Sequence, residues 1–328
     1  MLCFKIIMEV LIMNIKTSNR IIMVLYVIVL FLLSIQVGKY YNKFVNKKNN
    51  DDFVIKYDYK DNSRIVSDIN NNDYSACLNS LPLYELDNER KEIEEYIKEH
   101  DMALYYEDIN TSYVIKYNEN RTYYGASLIK LLDALYLYDN KVNLMTKVSY
   151  INYNGSRCSS NKQVNNEITL KDLVYCALSV SDNDAHFMLY YYIGRDNLVR
   201  YGNSLGAKNI LTSSEKFGNQ TVTNTNIYLK RLYEIKDTKY GKFLIDAMTN
   251  DFYSSINKKL DVSVAHKYGE WGNYYHDIGI VFDEKPYTIS IFTKSANDDY
   301  TELVGKLSLM IYEYHSKYWL IVNRECGK

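Results

Sequence analysis

The sequence is poor in the residues from which most metal and redox sites are built. Five histidines and five cysteines occur in 328 residues, and neither set has ligand spacing. H-E-x-x-H and C-x-x-C are both absent, which argues against a metal enzyme. The cysteines (Cys3, Cys77, Cys158, Cys176 and Cys326) are odd in number and scattered. Such a set does not suggest a disulfide framework, and each is expected to be a small core residue. An excess of one charge sign is also missing. A formal net charge of −1 supplies no long-range field that would gather nucleic acid or another polyanion. Prolines number only two, against 35 tyrosines. The tyrosines follow no steady period, so they read as compositional drift and not as an aromatic binding surface. The sequence shows no internal repeat.

Apolar sequence is plentiful. Hydrophobic residues make up 47% and charged residues 24%, which fits a folded globular chain. One run stands apart: Ile21 to Gly38, IIMVLYVIVLFLLSIQVG, carries no charge and only Ser34 and Gln36 as polar side chains. It is just long enough to span a bilayer, and no small-x-small cleavage site follows it. An uncleaved signal-anchor is therefore expected at 21–38, behind a cytoplasmic tail at 1–20 in which Met13 would be the more ordinary start. Lys16 and Arg20 precede the run, and Lys39, Lys43, Lys47 and Lys48 follow it. Taken alone, those charges slightly favour a cytoplasmic C-terminal part. Residues 39–87 include a stretch rich in Asn and Asp and are expected to form a polar tether.

The main domain is expected over 88–328. A charged amphipathic helix opens it, with Ile93, Tyr96 and Ile97 on one side. MALYYED and SYVIKYN then have the pattern of strands. Helical periods follow over 127–138, from Thr169, over 185–192, over 195–205 up to a stop at Gly206, and twice more before residue 250. VSVAHKYG, HDIGIVFDE and PYTISIFTK return to strand pattern, and a helix over 300–314 closes the chain. Strands at both ends with helices between predict an α+β domain, its antiparallel sheet built from both ends of the chain and beside it an all-helical part.

Three short motifs could carry chemistry. Ser127-Leu128-Ile129-Lys130 places a hydroxyl and an amine three residues apart at the start of a helix that is apolar nearly all round. A buried lysine tends to lose its proton and can then deprotonate a serine. The plainer reading is a capping serine and a lysine paired with Asp133. Ser181-Asp182-Asn183 lies between two helices, where a loop can point side chains into a cleft; a capping turn is the alternative. Lys267-Tyr268-Gly269 lies near the end of an apparent strand, and its lysine could equally be an edge-strand residue.

S-x-x-K, then S-D-N, then K-x-G, in this order, resembles the superfamily of class A β-lactamases and penicillin-binding proteins. The resemblance covers roughly 88–320 and departs at Tyr268, where the family has Thr. It implies a β-lactamase-like fold and acyl transfer through serine, without cofactor or metal. Ser127 would be the nucleophile, Lys130 its proton acceptor and Ser181 the donor to the leaving nitrogen. Asn183 would hold the substrate amide and Lys267 would anchor the site, with Tyr268, Gly269 and Glu270 lining it. Backbone N–H groups of Ser127 and Glu270 would form the oxyanion hole. Glu215, in the E-x-x-x-N stretch Glu215–Asn219, is the candidate deacylating base, although the segment from Gly206 to Thr225 is short for the usual loop. The implied substrate is a β-lactam or a peptidoglycan stem peptide. The alternatives are a D,D-peptidase and a tethered binding or sensor domain that has lost catalysis. These substrates lie outside the cytoplasm, so a single-pass protein with an extracytoplasmic domain is expected, against the lysine count.

Overall fold

The computed structural model describes residues 76–211, 216–249, 254–294 and 299–327. The expected anchor at 21–38 and Glu215 lie outside them. Among the described residues no helix is long and apolar enough to cross a membrane.

Alternation along the strands sets the layers. Strands β1 (Ala103–Asp108), β2 (Val114–Tyr117), β7 (Ser263–Trp271), β8 (Tyr274–Phe282) and β9 (Tyr287–Lys294) form one antiparallel sheet in the order β2-β1-β9-β8-β7. Ala103 pairs with Phe292 and Leu104 with Ile291, so neighbouring pairs face opposite sides. Leu104, Tyr106, Ile289 and Ile291 pack against α1 (Asp87–Glu99) and the last helix α9 (Tyr300–Cys326). Ile93, Tyr96 and Ile97 form the buried stripe of α1, at the i, i+3, i+4 spacing of an amphipathic helix. Ala103, Ala265, Ile278, Ile280 and Phe292 face the helical part. The sheet therefore draws its strands from both ends of the chain, as the sequence pattern predicts.

In the helical part, α2 (Ile129–Asp139) is the central element. Leu128, Ile129, Leu131, Leu132, Leu135 and Leu137 are all fully buried, and each such side chain contributes roughly 1.5–3 kcal/mol of burial. Around it stand α3 (Arg157–Lys162), α4 (Leu170–Ser179), α5 (Asn183–Ile193), α6 (Arg195–Leu205), α7 (Val222–Glu234) and α8 (Lys239–Thr249). Gly206 ends α6 at φ 98°, a left-handed turn natural to glycine. Short strand pairs join β3 (Tyr123–Tyr124) to β6 (Asn219–Gln220), and β4 (Lys147–Ser149) to β5 (Glu167–Thr169).

Three expectations need correction. The closing helix does not stop at 314: Tyr314, His315, Tyr318, Trp319, Ile321 and Val322 continue its buried side to Cys326. Residues 76–87 do not belong to a loose tether; a 3-10 turn at Leu83–Leu86 buries Leu86 and leads directly into α1. The four described cysteines are not isolated core fillers. Cys77 is bonded to Cys326, and Cys158 to Cys176, with Cα atoms 5.8 and 5.6 Å apart. Sequence spacing gives no hint of the first bridge because its partners meet only when α9 returns to the start of the domain.

Candidate active site

The site begins at a strained turn. After β3 the chain enters a 3-10 turn at Ala126–Leu128, with Ala126 at φ 44°, and passes directly into α2. A left-handed non-glycine residue stores conformational strain that the surrounding structure must hold. Here Gly125 N–H donates to the Gly218 carbonyl at 2.9 Å, and Leu128 N–H to that of Gly125 at 3.1 Å. Ser127 is not a capping residue: no side-chain cap is made at this turn.

Lys130, one turn further on, is fully buried. Its Nζ lies 2.9 Å from Ser127 Oγ, 3.1 Å from Ser181 Oγ, 2.6 Å from the Ser181 carbonyl and 2.7 Å from Asn183 Oδ1. The two shortest contacts are to oxygens that only accept. Nζ donates to both of these, while the two hydroxyls can either accept from it or donate to it.

The S-D-N turn is built by alternation. Ser181 sits at φ 56°, which brings both its Oγ and its carbonyl to the lysine. Asp182 faces away and caps α5 through the Ala185 N–H at 2.8 Å; its other oxygen accepts from Ser159 N–H at 2.8 Å. Asp184 accepts from the N–H groups of Tyr153, Asn154 and Ser156. The loop 153–159 is thus tied to the two aspartates, and the Cys158–Cys176 bridge fastens it to α4. The capping role that the sequence offered to Ser181 falls to Asp182.

The third motif lies on the edge strand β7. Lys267 is fully buried; its Nζ donates to the Tyr268 carbonyl at 2.8 Å and stands 4.2 Å from the Tyr268 ring centre. Gly269 lies against the serine turn. A Cβ on it would come 2.8 Å from the Gly125 carbonyl oxygen and 3.2 Å from Ser127 N, so only glycine permits this approach. Tyr268 alternates to the α9 side, stacked toward Tyr275 at 6.5 Å, and Glu270 is exposed. The structure therefore brings Ser127, Lys130, Ser181, Asn183 and Gly269 together, and turns the Tyr268 ring away from the Gly269 side of the strand.

Sequence reasoning missed His276 and His186. From β8, His276 Nε2 donates to the Tyr124 carbonyl at 3.0 Å, and its Nδ1 accepts from Thr293 N–H at 3.4 Å. Burial pushes its pKa down to about 4, so the ring is neutral and keeps these two roles. His186, on α5, bonds Asp133 at 2.6 Å, and the pairing of Asp133 with Lys130 expected from spacing is not made. Phe217 lies over both, its ring 4.8 Å from that of His186 and 5.7 Å from Lys130 Nζ. A histidine three residues past the S-D-N, and an aspartate one turn past the S-x-x-K, were the available signals.

As for metals, Cys158, Cys176 and Asp182 bring ligand-type atoms within 4.8 Å of one another. The two sulfurs are bonded to each other and Asp182 is occupied by backbone N–H groups, so this set does not fit an ion.

A serine held by a buried lysine, a second serine across from both and an edge strand pressed against the Ser127 turn, on a sheet backed by a helical part, define a serine hydrolase architecture of the β-lactamase type. The chain belongs to the beta-lactamase enzyme family, whose model matches residues 85–315. Among solved structures it is similar to the TLA-1 extended-spectrum β-lactamase (18% identity, 70% of this chain and 98% of that one, TM-score 0.62). It is also similar to PBP-A (16%, 71% and 97%, 0.63) and to a class A β-lactamase from Bacteroides cellulosilyticus DSM 14838 (20%, 70% and 98%, 0.61). No curated protein sequence matches.

Proposed function

We propose that this domain cleaves amide bonds through an acyl-Ser127 intermediate and that its substrates are β-lactams. One observation carries the reading: Lys130 Nζ joins Ser127, Ser181 and Asn183 within 3.1 Å in a fully buried position. Lys130 takes the Ser127 proton as Oγ attacks the carbonyl carbon. Ser181 gives its proton to the leaving nitrogen as the C–N bond breaks, and Lys130 returns the first proton to Ser181. Water then releases the acyl group and restores the Ser127 hydroxyl. Asn183 holds the substrate amide, Lys267 supplies positive charge nearby, and the backbone N–H groups of Ser127 and Glu270 receive the oxyanion.

A wall D,D-peptidase would use the same acylation and differ in how fast water frees the ester. Tyr268 favours a third reading, a tethered binding or sensor domain that has lost catalysis, because its ring turns toward Tyr275 where the family's Thr would help hold a carboxylate. We place the domain outside the cytoplasm on a membrane anchor at 21–38. Two disulfides suit an oxidising compartment, and the run from Ile21 to Gly38 carries no charge.

The test is labelling of the full-length protein with a fluorescent penicillin. Wild type is expected to label and Ser127→Ala not to, while Lys130→Ala should label roughly 10²–10⁴-fold more slowly. Label that disappears within minutes supports the lactamase; stable label supports the peptidase; equal labelling of wild type and Ser127→Ala removes both.

A further inference from the structure

Helix α2 buries two ionisable groups one turn apart, Lys130 and Asp133, in an otherwise apolar core. A bare carboxylate so close would stabilise the ammonium form of the lysine and oppose its work as a base. Asp133 is not bare. Its Oδ2 lies 2.6 Å from His186 Nδ1, and His186 Nε2 lies 3.1 Å from the Lys216 carbonyl. Both ring nitrogens therefore face oxygens. A carbonyl oxygen only accepts, so Nε2 carries a proton; the short contact at Nδ1 needs another, held on the ring or on the carboxyl. In either arrangement the Asp133–His186 pair is neutral as a whole. Both side chains are fully buried, so the cancellation acts in a medium where charge is weakly screened.

We infer that His186 is a positioning residue of the acylation step: it neutralises Asp133 and so leaves Lys130 free to act as the base. The inference rests on the acyl-serine reading above. Among the described residues, the other charged groups near the pair are engaged elsewhere. Asp182 and Asp184 bind the backbone N–H groups of the 153–159 loop and α5. The Lys216 ammonium lies over the Phe187 and Tyr191 rings, at 4.5 and 4.9 Å. The ring of Tyr190 stands 6.2 Å from that of His186, Tyr228 donates its hydroxyl to Gln220, and Lys267 donates to the Tyr268 carbonyl. His186 also packs against Phe217, which makes a purely structural role the competing explanation.

The rate of penicillin labelling against pH separates the two. His186→Leu keeps the bulk but leaves Asp133 charged, so the acid limb of the profile is expected to move up by about one to two pH units. Asp133→Asn/His186→Leu, which removes the charge as well, should bring the limb back. A structural role would lower the rate at every pH and leave the limb in place in His186→Leu, which overturns the inference. Should His186→Leu not fold, Asp133→Asn carries the test. A limb within roughly 0.3 unit of wild type upholds a neutral pair, and a downward move of about one unit or more shows that Asp133 acted as a charge and overturns it. Wild type that takes no label refutes the acyl-serine reading together with this one; a labelled wild type with an unmoved limb in His186→Leu refutes this one alone.

Discussion

Acidification should weaken this fold through one identified ring. His276 is fully buried, packed 4.2 Å from the Phe292 ring, and holds the Tyr124 carbonyl at the entry to the Ser127 turn. Burial lowers its pKa from 6.5 to about 4. The unfolded chain therefore binds a proton between these values that the folded chain refuses. Stability from the neutral ring is fully present above pH 6.5 and declines as pH falls toward 4. A separation of about 2.5 units corresponds to roughly 3 kcal/mol in total, of which about 2 kcal/mol is lost by about pH 5. Carboxylates titrate over part of the same range, so wild type must be compared with His276→Gln, which cannot take up the proton and can still donate to Tyr124. Urea unfolding is the assay. The variant should be less stable than wild type near pH 7.5, by about 1–2 kcal/mol for lost packing, and the gap should close or reverse near pH 5. A gap that stays constant within about 0.5 kcal/mol would refute the assignment of the acid sensitivity to this ring.

Gly269→Ala should strike the site more than the fold. Its Cβ would meet the backbone at Gly125 and Ser127, at 2.8 and 3.2 Å, which predicts about 1–3 kcal/mol of destabilisation and roughly 10²-fold slower penicillin labelling as the edge strand retreats. Unchanged labelling would show that the close approach of β7 is not needed. Cys326→Ser opens a bridge between residues 249 apart in sequence, and thermal or urea unfolding should register a loss of about 3–5 kcal/mol. Labelling of the folded fraction should persist, because α9 packs on the sheet face opposite the helical part; loss of labelling in folded protein would contradict that separation.

What was legible in the sequence is what depends on period and order. Ile93, Tyr96 and Ile97 announced α1; Leu128 to Leu137 announced a buried helix; the strand pattern at 262–294 announced the last three strands of the sheet. The residues around Ser127 were legible because spacing within each motif constrains what can meet: a lysine reaches a serine three positions back on a helix, and the S-D-N turn can present alternate residues. Features that depend on where distant segments meet were not. Cys77 and Cys326 look like single thiols until α9 is followed to its end. Asp133 looks like the natural partner of Lys130, at the right spacing on the same helix, until α5 delivers His186 from 53 residues away. That last misreading has a chemical meaning. Local pairing would favour the ammonium form of the lysine, so under the proposed acylation a base at this position requires the tertiary fold to overrule the helix's own preferred ion pair. The same logic accounts for the left-handed residues at Ala126 and Ser181. Neither conformation is favoured locally, each aims an oxygen-bearing neighbour or itself at one amine, and the strain is held by loops that the sequence alone leaves without partners.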